Sequence, residues 1–299
     1  KWMRNVDWID HLALRASYGV QGNDNLGTYY AWQSFYNLTW ANANMSGATV
    51  SSLENPNVTW EKNQNLNVGL DFRLFNNILD FSIEYYRRYT SDMLLSFPMA
   101  LSTGFSGYNA NVGNMVNDGV EMALGVQIFN KKNFTWRVNA MGSTTRNEVL
   151  KLTDTDQIIS GVQVIEVGKP LYTFYMAKSA GVDPATGSQM YWVYDLAEGQ
   201  EEVMWDGDTP VDQNGNPLNV YRTSDYTKAN NSKWYMGSRQ PKLYGSIGTE
   251  MTIFEFVDLS IMTTYSIGGY IYESLYSGAM QPMYTGNTWH VNALRRWQK

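Results

Sequence analysis

Between Leu66 and Leu74 the chain repeats with a period of two. Leu66, Val68, Leu70, Phe72 and Leu74 fall on one side, and Asn67, Gly69, Asp71 and Arg73 on the other. Successive side chains of an extended strand point to opposite faces, whereas a helix would scatter those apolar residues around its circumference. The stretch is therefore a strand with one apolar and one polar face. The same pattern recurs along the sequence. Leu12, Leu14, Ala16 and Tyr18 alternate with Ala13, Arg15, Ser17 and Gly19, and Leu79, Phe81, Ile83 and Tyr85 with Asp80, Ser82, Glu84 and Tyr86. Val120, Met122, Leu124, Val126 and Ile128 form a further face, as do Phe134, Trp136, Val138 and Ala140. Leu243, Ile247, Met251 and Ile253, and then Val257, Leu259, Ile261 and Thr263, complete seven candidate strands.

The connections between these strands also alternate. Three are turns of three or four residues, at 75–78, 130–133 and 254–256; the others, near 21–59, 91–115 and 150–241, are long. Short turns at one end and long loops at the other are the layout of a bacterial outer-membrane barrel, whose tilted strands need roughly 9–11 residues to cross the bilayer. Half-buried sheets in soluble sandwiches alternate as well. Two features favour the membrane barrel: the turn asymmetry, and the charges on the side opposite the apolar one. Asp71, Arg73, Asp80, Glu84, Glu121, Arg137 and Arg146 suit a wet or plugged lumen and would be costly in a dry inter-sheet core. The expected fold is all-β, part of a transmembrane antiparallel barrel with short periplasmic turns and long extracellular loops. Single-chain bacterial barrels have even strand numbers and no open edges in lipid, so an odd count marks the chain as part of a longer wall.

Composition fits this picture. Hydrophobic residues make up 43%, yet no run of about 18 apolar residues exists that could form a membrane helix. Aromatics reach 14%, with 21 Tyr and 11 Trp. Barrels gather aromatic rings into girdles at both interfaces, and Tyr85, Tyr89, Phe134 and Trp136 near strand ends are candidates for that role. Cys is absent, which excludes disulfides, thiolate metal sites and a Cys nucleophile. A net charge of -6 speaks against a nucleic-acid partner. Residues 1–7 lack the apolar stretch of a secretory signal, so either the signal is removed or the chain is internal to a longer one.

Nothing in the sequence supports catalysis, a metal or a cofactor. The two histidines, His11 and His290, lack the context of a triad or a zinc site. Asp206-Gly207-Asp208 and Asp212-Gln213-Asn214-Gly215-Asn216 miss the spacing of a calcium loop and read as turns. The long loops are rich in rings. Trp32, Tyr36 and Trp40 lie in the first, and Trp192, Trp205 and Trp234, with Tyr191, Tyr194 and Tyr235, in the last. Such rings could stack on a cargo, or they could pack the small cores that large loops need.

Several stretches resemble the SusC/RagA family of TonB-dependent transporters. Leu14-Arg15-Ala16-Ser17-Tyr18-Gly19, followed by Gly22-Asn23, resembles the family's "LRASYGxxGN". Asn55-Pro56-Asn57-Val58-Thr59-Trp60-Glu61 is similar to "NPxLxWE", and Tyr85-Tyr86-Arg87-Arg88-Tyr89-Thr90 resembles "YxRxT". Asn67-Val68-Gly69-Leu70-Asp71-Phe72 matches "NxGxDF", and residues 111–121 "NxGxMxNxGxE". Gly168-Lys169-Pro170-Leu171-Tyr172, residues 181–187 and Ala293-Leu294-Arg295-Arg296-Trp297-Gln298 resemble "GxPLy", "GVDPxTG" and "ALxRWQ". These motifs run in family order over most of the chain. The resemblance implies a barrel of about 22 strands with an N-terminal plug, of which residues 1–299 are a later part without plug, TonB-contacting segment or last strands. It implies an outer-membrane location in a Gram-negative bacterium and active import of an oligosaccharide or peptide, energised through TonB. A SusD-like lipoprotein lid, outer-membrane lipid and a pairing of two transporter–lid units are the implied partners. The 150–241 loop should fold as a compact external module against the lid. A passive porin or surface adhesin is the alternative, and a soluble carbohydrate-binding sandwich is the third reading.

Overall fold

The computed structural model describes residues 6–27, 29–42, 45–105, 107–153, 155–196, 198–200, 202–280 and 288–298. They form two compact units, one of residues 1–160, 164–172 and 240–269, the other of residues 161–163, 173–239 and 270–299.

The first unit is a wall of seven strands: β1 (Ile9–Asn23), β2 (Glu61–Leu74), β3 (Leu79–Ser91), β4 (Gly113–Lys131), β5 (Phe134–Leu152), β6 (Leu243–Ile253) and β7 (Val257–Ile267). Every neighbouring pair is antiparallel, and the spatial order is the chain order. Such an up-and-down meander follows from the short turns, since antiparallel neighbours need only a tight link. The register keeps the two faces separate across all seven strands. One row runs Leu14, Leu70, Ile83, Met122, Gly142, Gly245, Tyr265; the next runs Arg15, Gly69, Glu84, Glu121, Ser143, Tyr244, Ser266 on the other face.

The apolar face is not covered by protein. Leu14 is 75% exposed, Ile247 55% and Ile261 53%. A contiguous apolar face of this extent is out of place in water and is what a hydrocarbon solvent requires. Its end nearest the short turns carries ring pairs: Trp8 on Phe75, Phe72 on Phe81, Phe129 on Phe134 and Trp136, and Phe254 on Phe256. Phe134 and Trp136 thus sit where the girdle was expected. The turns themselves hold Phe75, Asn76 and Asn77, then Phe254 and Glu255, at positive φ, the geometry that matches the right-handed twist of the flanking strands.

Two local expectations change. Strict alternation in β4 would point Phe129 to the polar face, but the register shifts between Gln127 and Phe129. This bulge re-aims Phe129 so that its ring stacks on Trp136, 5.9 Å away. Arg146 does not share the face of Asp71 and Arg137. It pairs with Asp118, which pairs with Arg87, and Arg87 with Leu66, so Arg87, Asp118 and Arg146 lie on the apolar face at its long-loop end. They mark the edge of the apolar band, where charge again meets water.

The buried core of this unit is at the rim rather than between layers. Met93, Val112, Val149, Leu152 and Ile158 pack together with Leu95, Phe97, Ile165 and Leu171. The hairpin Leu94–Pro98 with Gly107–Asn111 supplies part of it, and Gln157–Ser160 another. Residues 155–160 and 164–172 cluster with the wall.

The second unit contains a three-stranded sheet of Lys178–Val182, Gln189–Tyr194 and Val220–Thr223. It also contains the hairpin Met204–Asp206 with Thr209–Val211, and the pair Thr173–Met176 with Trp234–Ser238. A helix at Tyr226–Asn231 is capped by Asp225, whose carboxylate accepts from the Thr227 and Lys228 amides. Residues 270–280 and 288–298, which follow β7, complete this unit.

The exposed apolar face makes a direct prediction. In the full-length protein Leu14→Arg places a charge in the middle of the band and should cost about 2–4 kcal/mol of folding stability. Ser17→Arg, on the polar face, should be mild. Heat-modifiable gel mobility of the two variants reads the difference, and equal defects would reverse the assignment of faces.

Candidate functional site

The polar face is a lattice of charged and amide side chains that meet across strands. Arg15 Nε donates to Asp71 Oδ2 at 2.6 Å, and its Nη1 lies 3.1 Å from Glu84 Oε2. Ser82 Oγ donates to Asp71 Oδ1 at 2.8 Å. Arg15 is on β1 and Glu84 on β3, so the ion pair crosses β2 above Gly69. Adjacent strands are about 4.8 Å apart, which puts next-but-one strands about 10 Å apart. A long guanidinium bridges that gap only if no side chain stands between. A Cβ built on Gly69 would sit 3.1 Å from Arg15 Nη2 and 3.2 Å from Glu84 Oε2. The second bridge repeats the design. Arg137 on β5 pairs with Asp80 on β3 directly over Gly125 of β4, and its Nε donates to Asn139 Oδ1 at 3.1 Å.

Of the seven charged residues expected on this face, all but Arg146 share it by register, and the structure brings four of them into pairs: Asp71 and Glu84 with Arg15, and Asp80 with Arg137. Glu121 accepts from Ser143 Oγ at 3.5 Å. Arg73 and His11 border a hollow of about 590 Å3 that also includes Asp80, Met141, Glu250 and Met262. Arg15 as the hub was missed. The signal that could have found it is the glycine in the strand between two charges of opposite sign.

At the long-loop rim asparagines clamp backbone, among them Asn55 and Asn111 of the motifs. Asn111 Nδ2 donates to Thr59 O and its Oδ1 accepts from Thr59 N, both at 2.9 Å. Asn55 Nδ2 donates to Asn109 O, and Asn147 Oδ1 accepts from Leu171 N at 2.6 Å. Asn111 thereby gives Thr59, a loop residue, the two backbone partners that a neighbouring strand would supply.

The loop rings divide into two groups. Trp32, Tyr36 and Trp40 are 51%, 63% and 63% exposed. Trp234 is 5% exposed, packs edge-on against Tyr194 and Trp205, carries the Lys178 ammonium over its ring, and donates from Nε1 to Trp192 O at 3.0 Å. Trp205 also packs on Tyr235 at 5.1 Å. Trp234 is therefore buried in the second unit, and Trp205, half-buried, packs against it. Burial pushes the Tyr194 phenol up, and its hydroxyl donates to Lys233 O at 2.9 Å. Trp192 is half-buried with the Arg222 guanidinium 5.9 Å from its ring centre.

Two motifs far apart in sequence meet in this unit. Asp183 Oδ1 accepts from Ala185 N and its Oδ2 from the Thr186 hydroxyl, which closes the turn at 183–187. Gly187 has φ 74, and the indole of Trp297 lies flat on it, with Trp297 Nε1 donating to Pro184 O at 2.9 Å. The Ala185 amide and the Thr186 hydroxyl hold the Asp183 carboxyl below the usual range. Asp212 is spent in the same way. Its carboxylate accepts from the Asn216 side-chain amide and from the Asn216 and Asn214 backbone, which lowers its pKa and builds a turn from its oxygens.

Comparison with known proteins decides the kind of wall this is. The family model described as "TonB dependent receptor-like, beta-barrel" matches residues 4–272. The chain belongs to that family. It is 33% identical over 181 residues to TonB-dependent receptor P39 of Formosa agariphila, covering 60% of this chain and 17% of the relative. It is 29% identical over 196 residues to TonB-dependent receptor SusC of Bacteroides thetaiotaomicron, covering 58% and 20%. Among solved structures, the RagAB peptide transporter aligns with 90% of this chain and 28% of that one, at 29% identity and TM-score 0.73. The SusC/RagA resemblance read from the motifs is thereby borne out. The chain spans a fifth or less of the curated relatives' length.

This TonB-dependent receptor segment is an outer-membrane wall, and the family's members are transporters rather than enzymes. The apolar face of β1–β7 meets lipid, and the long connections stand at the outer end, as in bacterial barrels generally.

Two predictions follow from this geometry. Gly125→Leu should force Arg137 and Asp80 apart and destabilise the barrel by about 1–3 kcal/mol, seen as a lower urea midpoint of the full-length protein in bilayers. Ala123→Leu, on the same strand and face but under no bridge, should cost less. The second concerns acid. The Asp183 and Asp212 pKa values are depressed on folding, so both contribute stability above the unfolded value of about 3.9 and lose it as pH falls through their folded values. Hydrogen exchange of segments 183–188 and 212–216, corrected for intrinsic rates, should accelerate below about pH 4 before the β2–β3 ladder does.

Proposed function

We propose that the full-length protein imports an oligosaccharide or peptide nutrient across the outer membrane, energised through TonB and working with a SusD-like lipoprotein lid. The observation that carries this reading is the two-faced wall: an exposed apolar face and a continuous charged face on the same seven strands. A barrel closed from such strands has a polar lumen, and Asp71, Arg73, Asp80, Glu84, Glu121 and Arg137 line it. The family match adds TonB as the energy source. The likeness to the RagAB peptide transporter supports a peptide as one class of cargo, and the lid rests on the motif resemblance to the SusC/RagA family. The chemistry this chain supplies is binding and sealing, not bond breaking. Of the loop rings, Trp32, Tyr36, Trp40, Trp192 and Trp205 remain candidates for cargo contact, whereas Trp234 is buried.

A passive pore of the same wall would need no TonB, and an adhesin would move nothing. Deleting the gene for the full-length protein in its source bacterium should abolish growth on one oligomeric nutrient while growth on the monomer continues. Inactivating TonB should give the same phenotype. A lid lipoprotein should co-purify with the wild-type protein. Uptake that survives loss of TonB would leave the porin reading standing instead.

A further inference from the structure

On the lipid side of the wall, charge appears in a row near the long-loop end. Tyr18, Leu66, Arg87, Asp118 and Arg146 stand side by side across β1 to β5. The three lipid-side rows nearer the short turns, led by Ala16, Leu14 and Leu12, carry no charged residue. From Leu79 at the start of β3 to Arg87, the strand climbs about 20 Å along the barrel axis, at roughly 3.3 Å per residue and a tilt of about 40°. The apolar band of such barrels is about 25 Å tall. The row therefore lies where acyl chains give way to the headgroups of the outer leaflet. A guanidinium at that depth reaches headgroup level while its stem stays on the apolar surface.

The protein satisfies one charge of this row and leaves two open. Arg146 Nη2 donates to Glu148 Oε2 on its own strand. Arg87 and Asp118 are directly opposite on β3 and β4, which sets their Cβ atoms about 5 Å apart. Among the described residues their side chains form no ion pair with each other and no hydrogen bond with any neighbour. An open ionic group on a membrane-facing surface calls for a partner. A purely anionic headgroup would gain Arg87 but meet the Asp118 carboxylate. A choline headgroup would bring Asp118 a positive charge with no N–H to donate. A phosphoethanolamine headgroup carries phosphate and a primary ammonium on a short link. Its phosphate oxygens can accept from Arg87 while its ammonium donates to Asp118. Its acyl chains would lie on the apolar row below, at Val68, Tyr85 and Val120. We propose that Arg87 and Asp118 form a site for a phosphoethanolamine-bearing lipid of the outer leaflet. The site faces away from the lumen, so the inference stands apart from the import reading.

The test uses the full-length protein in mixed micelles with equal amounts of phosphatidylethanolamine, phosphatidylcholine and phosphatidylglycerol of matched chains. Native mass spectrometry counts the lipids retained. Phosphatidylethanolamine should be retained about fivefold better than either of the others. Arg87→Gln and Asp118→Asn should each remove that preference, and Arg87→Lys should keep most of it. Arg88→Gln, next in the chain but on the lumen face with Nε donating to Asn65 Oδ1, should leave it unchanged. Heat-modifiable mobility verifies folding of every variant. Equal retention of the three lipids by the wild-type protein overturns the site, whatever the variants do. So does a preference that persists in the folded Arg87→Gln, Asp118→Asn double variant. Phosphatidylglycerol retained as well as phosphatidylethanolamine would leave Asp118 without a role and also overturns it. A wild-type dimer that the same variants dissociate, with no lipid preference, would assign this face to a second copy instead.

Discussion

In hydrocarbon a backbone N–H or C=O has no partner except another backbone group, and each one left unpaired costs several kcal/mol. The rest of this structure follows from that constraint. It forces β1 to β7 into one continuous ladder and favours nearest neighbours in sequence, because only short turns fit at the inner end. It also fixes the period-two pattern. Once the ladder is set, every residue faces either lipid or lumen, and a slip of one residue would exchange the two across a whole strand. The free ladder edges of β1 and β7 are the places where further wall strands pair in a closed barrel.

A lumen-facing charge has the opposite problem, since it must be held without a packed core around it. The wall solves this with cross-strand bridges over glycine. Arg15 reaches Glu84 above Gly69, and Arg137 reaches Asp80 above Gly125. A related arrangement appears on the lipid side, where Tyr265 lies across Gly142 and Gly245 and donates to Met141 O at 2.9 Å. Glycine weakens a strand in isolation. Here it is the gap that lets three strands be tied by one side chain, and the tie crosses the hydrogen-bonding direction of the sheet.

The wall was largely legible in the sequence because its physics is local. Alternation located all seven strands and the short turns, and it put Leu70 and Asp71 on opposite faces, as the register has them. It failed at the bulge before Phe129, which needed the register of a neighbouring strand. Arg146 follows the alternation of Phe134 to Ala140 onto the apolar face, so its charge and not its place in the period was the misleading signal. The motif asparagines could be recognised but not explained, since Asn111 meets Thr59 and Asn55 meets Asn109 across distances that no local pattern encodes. The loop rings were harder still. Trp32 and Trp234 look alike in sequence, yet one is half open and the other buried, because burial there depends on which residues arrive from 173–176 and 204–211. Trp297 seated on Gly187 joins residues more than a hundred positions apart, beyond any window of periodicity.

The central claim is that one face of this sheet meets lipid and the other the lumen. The 299 residues contain no Cys, so labels can be placed singly in this region. Nitroxides attached at Ile247→Cys and Ile261→Cys, and at the adjacent Ser246→Cys and Ser260→Cys, in the full-length protein in bilayers would report their surroundings. The account predicts high collision rates with oxygen and low rates with a water-soluble nickel chelate at 247 and 261, and a lower ratio of oxygen to chelate collisions at 246 and 260. Equal accessibility on the two faces, or the reverse order, would contradict it.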